Sequence, residues 1–159
     1  MATLKESLTF DDVTLVPQFS SILPSEACID TSLGLNLNLG MPFMSSAMDT
    51  VTESKMAIAI AKEGGLAVIH RNLSIKKQCL EVKKVKRKKL LVGAAVGTSK
   101  EDIIRANKLI ENNIDLLVID TAHGHSEKVL LTLRKLKKVL KKIPICAGNI
   151  ATAESSRAL

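Results

Sequence analysis

Aromatic side chains are almost absent from this chain of 159 residues, which contains three Phe, no Tyr and no Trp. The core must therefore be built from Leu, Ile, Val, Ala and Met, a composition that suits a buried parallel sheet covered by helices. Single-stranded nucleic acid is an unlikely partner, because few rings are present on which bases could stack. An apolar fraction of 46% and a mean hydropathy of +0.18 indicate one globular domain.

The sequence also lacks a cysteine framework and any long hydrophobic run. Its three cysteines, Cys28, Cys79 and Cys146, are widely spaced and include no Cys-x-x-Cys pair. No apolar run reaches the ~18 residues that a membrane span requires, and no signal peptide is recognisable. We therefore expect a reduced, cytoplasmic protein without membrane association. Cys79 and Cys146 lie in apolar stretches and are predicted to be small core residues rather than nucleophiles.

Positive charge is in excess, with a formal net charge of +7. The excess is concentrated in two runs, at 83–89 and at 134–142, near the predicted C-terminal ends of helices. Cations there complement the helix dipole, so a solvated basic face is the simpler interpretation. A surface that binds phosphate or nucleic acid is the alternative.

From Pro42 onward, short apolar runs alternate with amphipathic stretches in the rhythm of parallel βα units. Strands are predicted at 43–46, 66–70, 90–96, 116–120 and 143–147. The first helix is predicted to begin at Val51, and the later ones at the caps Ser74, Ser99, Ser126 and Thr152. Leu80, Ile104 and Val139 are among the residues assigned to the apolar helix faces.

A dinucleotide fingerprint of the Gly-x-Gly-x-x-Gly type is missing after the first strand, and so is a Walker-type lysine. Polar residues instead gather where several predicted strands end, which favours a barrel over a doubly wound sheet. We therefore predict an incomplete (β/α)8 TIM barrel with about five strands and four to five helices. Residues 1–159 would then be a little over half of one barrel domain.

The segment Met44–Glu53 begins within the first predicted strand. Ahead of Thr50, at the carboxyl end of that strand, it carries two hydroxyls, a thioether and a carboxylate, from Ser45, Ser46, Met48 and Asp49. Packing alone does not require such residues at the carboxyl end of a strand, where α/β folds bind ligands. Thr50 and Glu53 have the spacing of a capping box and are predicted to begin the first helix.

Three other strand ends carry candidate site residues. Asp120 can accept two hydrogen bonds from a ribose diol, and Thr121 can add one; the simpler alternative is that Asp120 only caps its loop. Asn149 can both donate and accept, but Gly-Asn is also a common turn signal. His70 is more simply explained as a satisfied histidine at the sheet edge. The nearby pair His123 and His125 lacks a third ligand, so no metal site is predicted.

These motifs, taken in order, resemble the N-terminal part of the IMP dehydrogenase family. The stretches that carry the resemblance are 8–17, 45–53, 64–72, 92–96, 120–126 and 147–149. The resemblance implies a TIM barrel that oxidises inosine monophosphate (IMP) to xanthosine monophosphate with NAD, in guanine nucleotide synthesis. It also implies a potassium ion as cofactor and a homotetramer in full-length members.

By the same resemblance, Ser46 and Met48 are expected to touch the bound nucleotide, and Asn149 to lie beneath the reacting pair, in contact with both ligands. Asp120, Thr121 and Ala122 are expected to hold NAD, with Asp120 on the nicotinamide ribose, and His70 to border the dinucleotide. No residue of this chain takes the part of the catalytic cysteine, which the family carries in a loop after the sixth strand, beyond Leu159. The potassium site also lies there. We therefore expect residues 1–159 to be inactive alone.

Many members of that family carry a pair of CBS modules between the second helix and the third strand. Here the basic stretch 86–90 joins those elements directly, so no CBS domain is expected. Two other interpretations stay open. One is a fragment of GMP reductase, whose barrel is similar. The other is a non-catalytic protein that binds nucleic acid or an acidic partner through its basic helices.

Overall fold

The computed structural model describes residues 6–159, which form a curled, incomplete α/β barrel. Five parallel strands lie side by side in chain order: β3 (Met44–Ser45), β4 (Leu66–Ile69), β5 (Gly93–Val96), β6 (Leu116–Asp120) and β7 (Ile145–Gly148). The intervening helices are α1 (Ser54–Lys62), α2 (Ile75–Lys86), α3 (Lys100–Glu111) and α4 (Glu127–Val139), and α5 (Ala153–Ala158) follows β7. The predicted fold class is therefore confirmed.

A two-stranded antiparallel hairpin, β1 (Thr31–Ser32) and β2 (Asn38–Leu39), precedes this sheet, and a short 3-10 turn at Pro24–Glu26 comes before it. Leu37 and Leu39 of the hairpin are buried in a small apolar cluster with residues of the sheet such as Leu66 and Leu116. The larger cluster contains residues of the helices and the alternate strand positions, such as Ile69 and Leu117. Each central strand is therefore buried on both faces, which explains its unbroken apolar sequence.

The start of the first helix differs from its prediction. The helix begins at Ser54, with Glu53 as a cap residue whose side chain makes no capping bond, so the predicted Thr50/Glu53 capping box is wrong. Thr52 stabilises the segment before the helix instead. Its buried hydroxyl donates to the Ser46 carbonyl at 2.6 Å, and this contact fixes the turn that leads out of β3. The Ser54 amide is instead satisfied by the Glu81 carboxylate of α2, at 3.0 Å.

Three apolar residues that were assigned to buried helix faces are exposed: Leu80, Ile104 and Val139. For the first two, helical geometry gives the reason, since each lies two residues, or ~200°, from a buried position of its own helix. Val139, the last residue of α4, is exposed, and the next residue, Leu140, is buried in its place. Polar residues take part of the space: Gln78 of α2 is fully buried, and Arg105 of α3 is 7% exposed.

The helix caps provide a matched test of the local structure. Ser99 and Asp102 form a complete capping box at α3, whereas the Ser126 side chain makes no capping bond at α4. We expect Ser99→Ala to lower the free energy of unfolding by about 1 kcal/mol. Ser126→Ala serves as the control and should cost clearly less. Urea titration of both variants measures the difference, and equal losses would contradict the role of the Ser99 hydroxyl.

Candidate functional site

The candidate site lies at the carboxyl ends of the parallel strands, where the loops after β3, β4, β6 and β7 meet. Two cavities of about 410 and 350 Å³ adjoin there and share the lining residues Ala47, Met48 and Asp120. Ser46 and Asn149 line one of them, and His70 lines the other. The structure thus brings together five of the predicted site residues, which are up to 103 positions apart in sequence.

Three polar side chains at these cavities have no internal partner. Within residues 6–159, the Ser46 hydroxyl, the Asp120 carboxylate and the Asn149 amide make no side-chain hydrogen bond, although their backbones are bonded. A carboxylate, an amide and a hydroxyl with free capacity around one cavity suit a ligand rich in hydroxyl and amide groups.

The loops after β6 and β7 are joined mainly through backbone atoms. The amide of Asn149 donates to the carbonyl of Thr121 at 2.7 Å, and Gly124 donates to the Asn149 carbonyl at 2.7 Å. The Thr121 hydroxyl donates to the Gly148 carbonyl at 2.7 Å, so its proton is already used within the protein. Ala122 is exposed on the same loop. These contacts hold Asp120 and Asn149 at one edge of the site.

The loop after β4 is held from below by a buried polar network that sequence reasoning did not find. Gln78 donates to the Ile69 and Ala95 carbonyls at 3.2 and 2.9 Å and accepts from Arg105 at 2.9 Å. Arg105 also donates to the Leu73 carbonyl at 2.9 Å. Gln78 bonds the Ile69 carbonyl at the end of β4 and Arg105 bonds the Leu73 carbonyl, so together they fix the positions of residues 70–73 beside the cavity.

His70 differs from the satisfied histidine that the simpler interpretation predicts. It is only 3% exposed, and neither ring nitrogen has a hydrogen-bond partner within the described part of the chain. Its Nε2 lies 3.5 Å from a carboxylate oxygen of Glu53. On the cavity side, Asn72 donates to the Asp49 carboxylate at 2.8 Å and so links the first two loops of the site.

Cys146 was predicted to be a core residue, and that prediction is wrong. Its partner across the β6–β7 ladder is Val118, and both residues line the cavity that Ser46 and Asn149 also line. The alternate residues of β7 pack against the helices, so Cys146 is exposed on the inner face of the curled sheet. Partial desolvation there raises the pKa of its thiol above the ordinary value. Cys79 of α2 is buried, as predicted.

Neither a metal centre nor a membrane-spanning helix is found among the described residues. No group of three or more His, Cys, Asp or Glu side chains within 6–159 is placed to hold a metal ion. None of the helices in that range is both long enough and apolar enough to cross a bilayer. Another cavity, of about 460 Å³, lies along the start of α1 and is lined by none of Ser46, His70, Asp120 or Asn149.

The fold and the candidate site together define a class: an incomplete parallel α/β barrel with a polar candidate site at the strand ends. Residues 7–159 match the family model described as the IMP dehydrogenase / GMP reductase domain, and the chain belongs to that family.

Among curated proteins, the inosine-5'-monophosphate dehydrogenase of Borreliella burgdorferi is 40% identical over an alignment that covers 96% of this chain and 50% of the relative. Those of Cryptosporidium parvum and Aquifex aeolicus are 34% and 31% identical and cover 97% and 98% of the chain. This chain corresponds to 48% and 58% of those two relatives, so it spans about half the length of the proteins it matches.

Proposed function

We propose that this chain forms the first half of the substrate and cofactor site of an IMP dehydrogenase, the NAD-dependent enzyme that converts IMP to xanthosine monophosphate. The observation that carries the proposal is the convergence of Ser46, Met48, His70, Asp120 and Asn149 on two adjoining cavities. The family model covers both this dehydrogenase and GMP reductase, whereas the relatives described above are all named inosine-5'-monophosphate dehydrogenase. Those names favour the dehydrogenase.

In this proposal, the cavity between β3 and β7 takes the nucleotide. The Ser46 hydroxyl and the Asn149 amide are free to bond polar groups of the ligand, and the exposed Met48 thioether offers an adaptable apolar contact. Asn149 can contact both ligands, because its loop is bonded to the one that follows Asp120.

The neighbouring cavity fits the nicotinamide ribose of NAD, because the unpaired Asp120 carboxylate can accept two hydrogen bonds from a ribose diol. Ala122 offers its exposed backbone nearby, Thr121 retains acceptor capacity on its hydroxyl oxygen, and His70 borders the same space. When bound, NAD accepts the hydride that leaves the nucleotide. The part of these residues is to hold and orient the two ligands.

We further propose that residues 1–159 are inactive alone. In the family mechanism a cysteine attacks the purine, and the loop that carries it lies beyond Leu159. We propose that the three cysteines here do not replace it: Cys28 lines neither cavity of the site, Cys79 is buried and the Cys146 thiol has a raised pKa. The family's potassium site and its homotetramer are proposed for the whole protein only. Its proposed location is the cytoplasm. We also propose that no CBS module is inserted at 86–90, a proposal supported by the direct connection between α2 and β5.

An absorbance assay tests the proposal. The chain mixed with IMP and NAD should produce no NADH, whereas the chain supplied with the remaining barrel segment of the Borreliella burgdorferi relative should produce it. Asp120→Ala should then lower kcat/KM for NAD by about 10²-fold, the loss expected when a hydrogen-bonded charge is removed from a binding site. Asp30→Ala, at an exposed carboxylate outside both cavities, is the control.

Three results would contradict the proposal. Sustained turnover by residues 1–159 alone would overturn the claim of inactivity. Oxidation of NADPH with GMP, without activity on IMP, would identify a GMP reductase instead. If the reassembled barrel is active and Asp120→Ala leaves kcat/KM for NAD unchanged, the assignment of Asp120 is wrong. Circular dichroism of each assembly establishes that the barrel has formed.

A further inference from the structure

Among the described residues that line the cavity of about 410 Å³, one carries a permanent positive charge: Arg71. The same cavity is lined by two carboxylates, Asp49 and Asp120. Asp49 accepts a hydrogen bond from Asn72 at 2.8 Å, whereas Asp120 is free to accept from a ribose diol. A ligand that carries negative charge is therefore repelled by two of these side chains and attracted by Arg71 alone. The position of Arg71 decides where such charge can lie.

The side chain of Arg71 extends from the loop after β4 to the end of β5. A Cβ atom placed on Gly97, the residue that follows β5, would lie 3.1 Å from Nη1 of Arg71 and 2.7 Å from Oδ2 of Asp102. Glycine at this position therefore leaves the space in which the guanidinium lies. Because β5 lies between β4 and β6 in the sheet, the guanidinium extends toward the strand that ends in Asp120.

The charge of Arg71 is not neutralised within the described part of the chain. Arg71 has no acidic partner within 4 Å among residues 6–159. The Asp102 carboxylate is already bonded by the amide and the hydroxyl of Ser99, at 3.0 and 2.7 Å. Burial raises the pKa of Asp102, but the hydrogen bonds from Ser99 and the charge of Arg71 outweigh it, so this pKa lies below its usual value. The planar fork of N–H donors on Arg71 thus remains available to an external anion.

The buried imidazole of His70 also indicates a ligand in this cavity. His70 lines the cavity and is only 3% exposed, yet neither ring nitrogen has a hydrogen-bond partner among the described residues. A buried polar group without a partner is destabilising, and a ligand that bonds to it removes that cost. Because His70 and Arg71 line the same cavity, one group with several acceptor oxygens can bond to both.

We propose that Arg71 binds the diphosphate of the dinucleotide and that His70 donates to the same group. The inference rests on the proposed function, because it takes the nicotinamide ribose to lie on Asp120. From there the cofactor would cross the end of β5 toward Arg71, which is the direction in which the guanidinium extends. A guanidinium can bond two phosphate oxygens at once, so it suits this group better than a ribose hydroxyl. Arg71 is then a specificity-determining residue that distinguishes a dinucleotide from a nucleoside with the same ribose.

Binding of two ligands to the full chain, followed by NMR titration of its amide signals, tests this assignment. NAD carries the diphosphate, whereas nicotinamide riboside carries the same nicotinamide ribose without a phosphate. Arg71→Gln should raise the Kd for NAD by about 10-fold, because charge-assisted hydrogen bonds are lost, and should leave the Kd for nicotinamide riboside unchanged. Arg71→Lys should recover part of the affinity for NAD, because it retains the charge but not the fork. Asp120→Ala should weaken both ligands.

Arg87→Gln is the matched control, since Arg87 is an exposed arginine at the end of α2 that lines neither cavity of the site, and it should change neither affinity. If Asp120→Ala weakens both ligands and Arg71→Gln weakens neither, the role of Arg71 is overturned and the proposed function stands. Equal weakening of the two ligands by Arg71→Gln would show that Arg71 supports the loop, and this also overturns the inference. If neither ligand binds the folded wild-type chain at millimolar concentration, both the inference and the assignment of the cofactor cavity are wrong.

Discussion

Replacement of Gln78 with alanine is expected to destabilise the chain by about 3–5 kcal/mol, an effect comparable to breaking a buried ion pair. The side chain is completely buried and makes three hydrogen bonds, to the Ile69 and Ala95 carbonyls and from Arg105. Its removal leaves two carbonyls and part of a guanidinium without partners in the interior, and each such group costs about 1–3 kcal/mol. Domains are stable by only about 5–15 kcal/mol, so much of that margin would be lost.

Urea unfolding followed by circular dichroism measures this effect. Lys76→Ala, two residues away on the exposed surface of α2, serves as the control for helix propensity and should change stability by less than about 0.5 kcal/mol. Gln78→Leu refines the test, because it retains volume but not the hydrogen bonds. Full stability in Gln78→Leu would show that packing, rather than the polar network, holds the loop after β4.

Most of the fold was predictable from the sequence because its signals are local. The strands at 66–69 and 116–120 are continuous apolar runs, the second as far as its last residue, Asp120. The caps Ser74, Ser99 and Thr152 lie where the structure has them and make the expected bonds. The candidate site was predictable in outline for a related reason: parallel strands bring their carboxyl ends to one edge, so polar residues after successive strands meet there.

The errors come from tertiary contacts that local patterns do not contain. The amide at the start of α1 is capped by Glu81, 27 residues away, so a nearby Thr-x-x-Glu motif was not needed as the cap. Gln78 and Arg105 look like solvated residues until the carbonyls they satisfy are placed beside them. Cys146 lies in an apolar strand, but the inner face of an incomplete barrel is open at that position.

Substitution of Gly124 should have the largest effect at the site itself. A Cβ atom on Gly124 would lie 2.9 Å from both the Asn149 carbonyl oxygen and the Gly148 carbonyl carbon, which are rigid backbone atoms. We expect Gly124→Ala to push the loops after β6 and β7 apart. It should cost about 2–4 kcal/mol of unfolding free energy, the sum of steric strain and of weakened bonds at Asn149 and Thr121.

Gly148→Ala is the matched control, because no atom lies within 4 Å of a Cβ added there. Urea unfolding should show a loss in Gly124→Ala at least 1.5 kcal/mol larger, on the order of the strain that overpacking produces. In the reassembled barrel, Gly124→Ala should also lower activity with IMP and NAD, since Asp120 and Asn149 would move apart. Equal stability of the two variants would show that the close approach of the loops is not a constraint. In that case the β6–β7 ladder, whose last pair is Asp120 with Gly148, and the backbone bond from Asn149 to Thr121 suffice to hold Asp120 and Asn149 together.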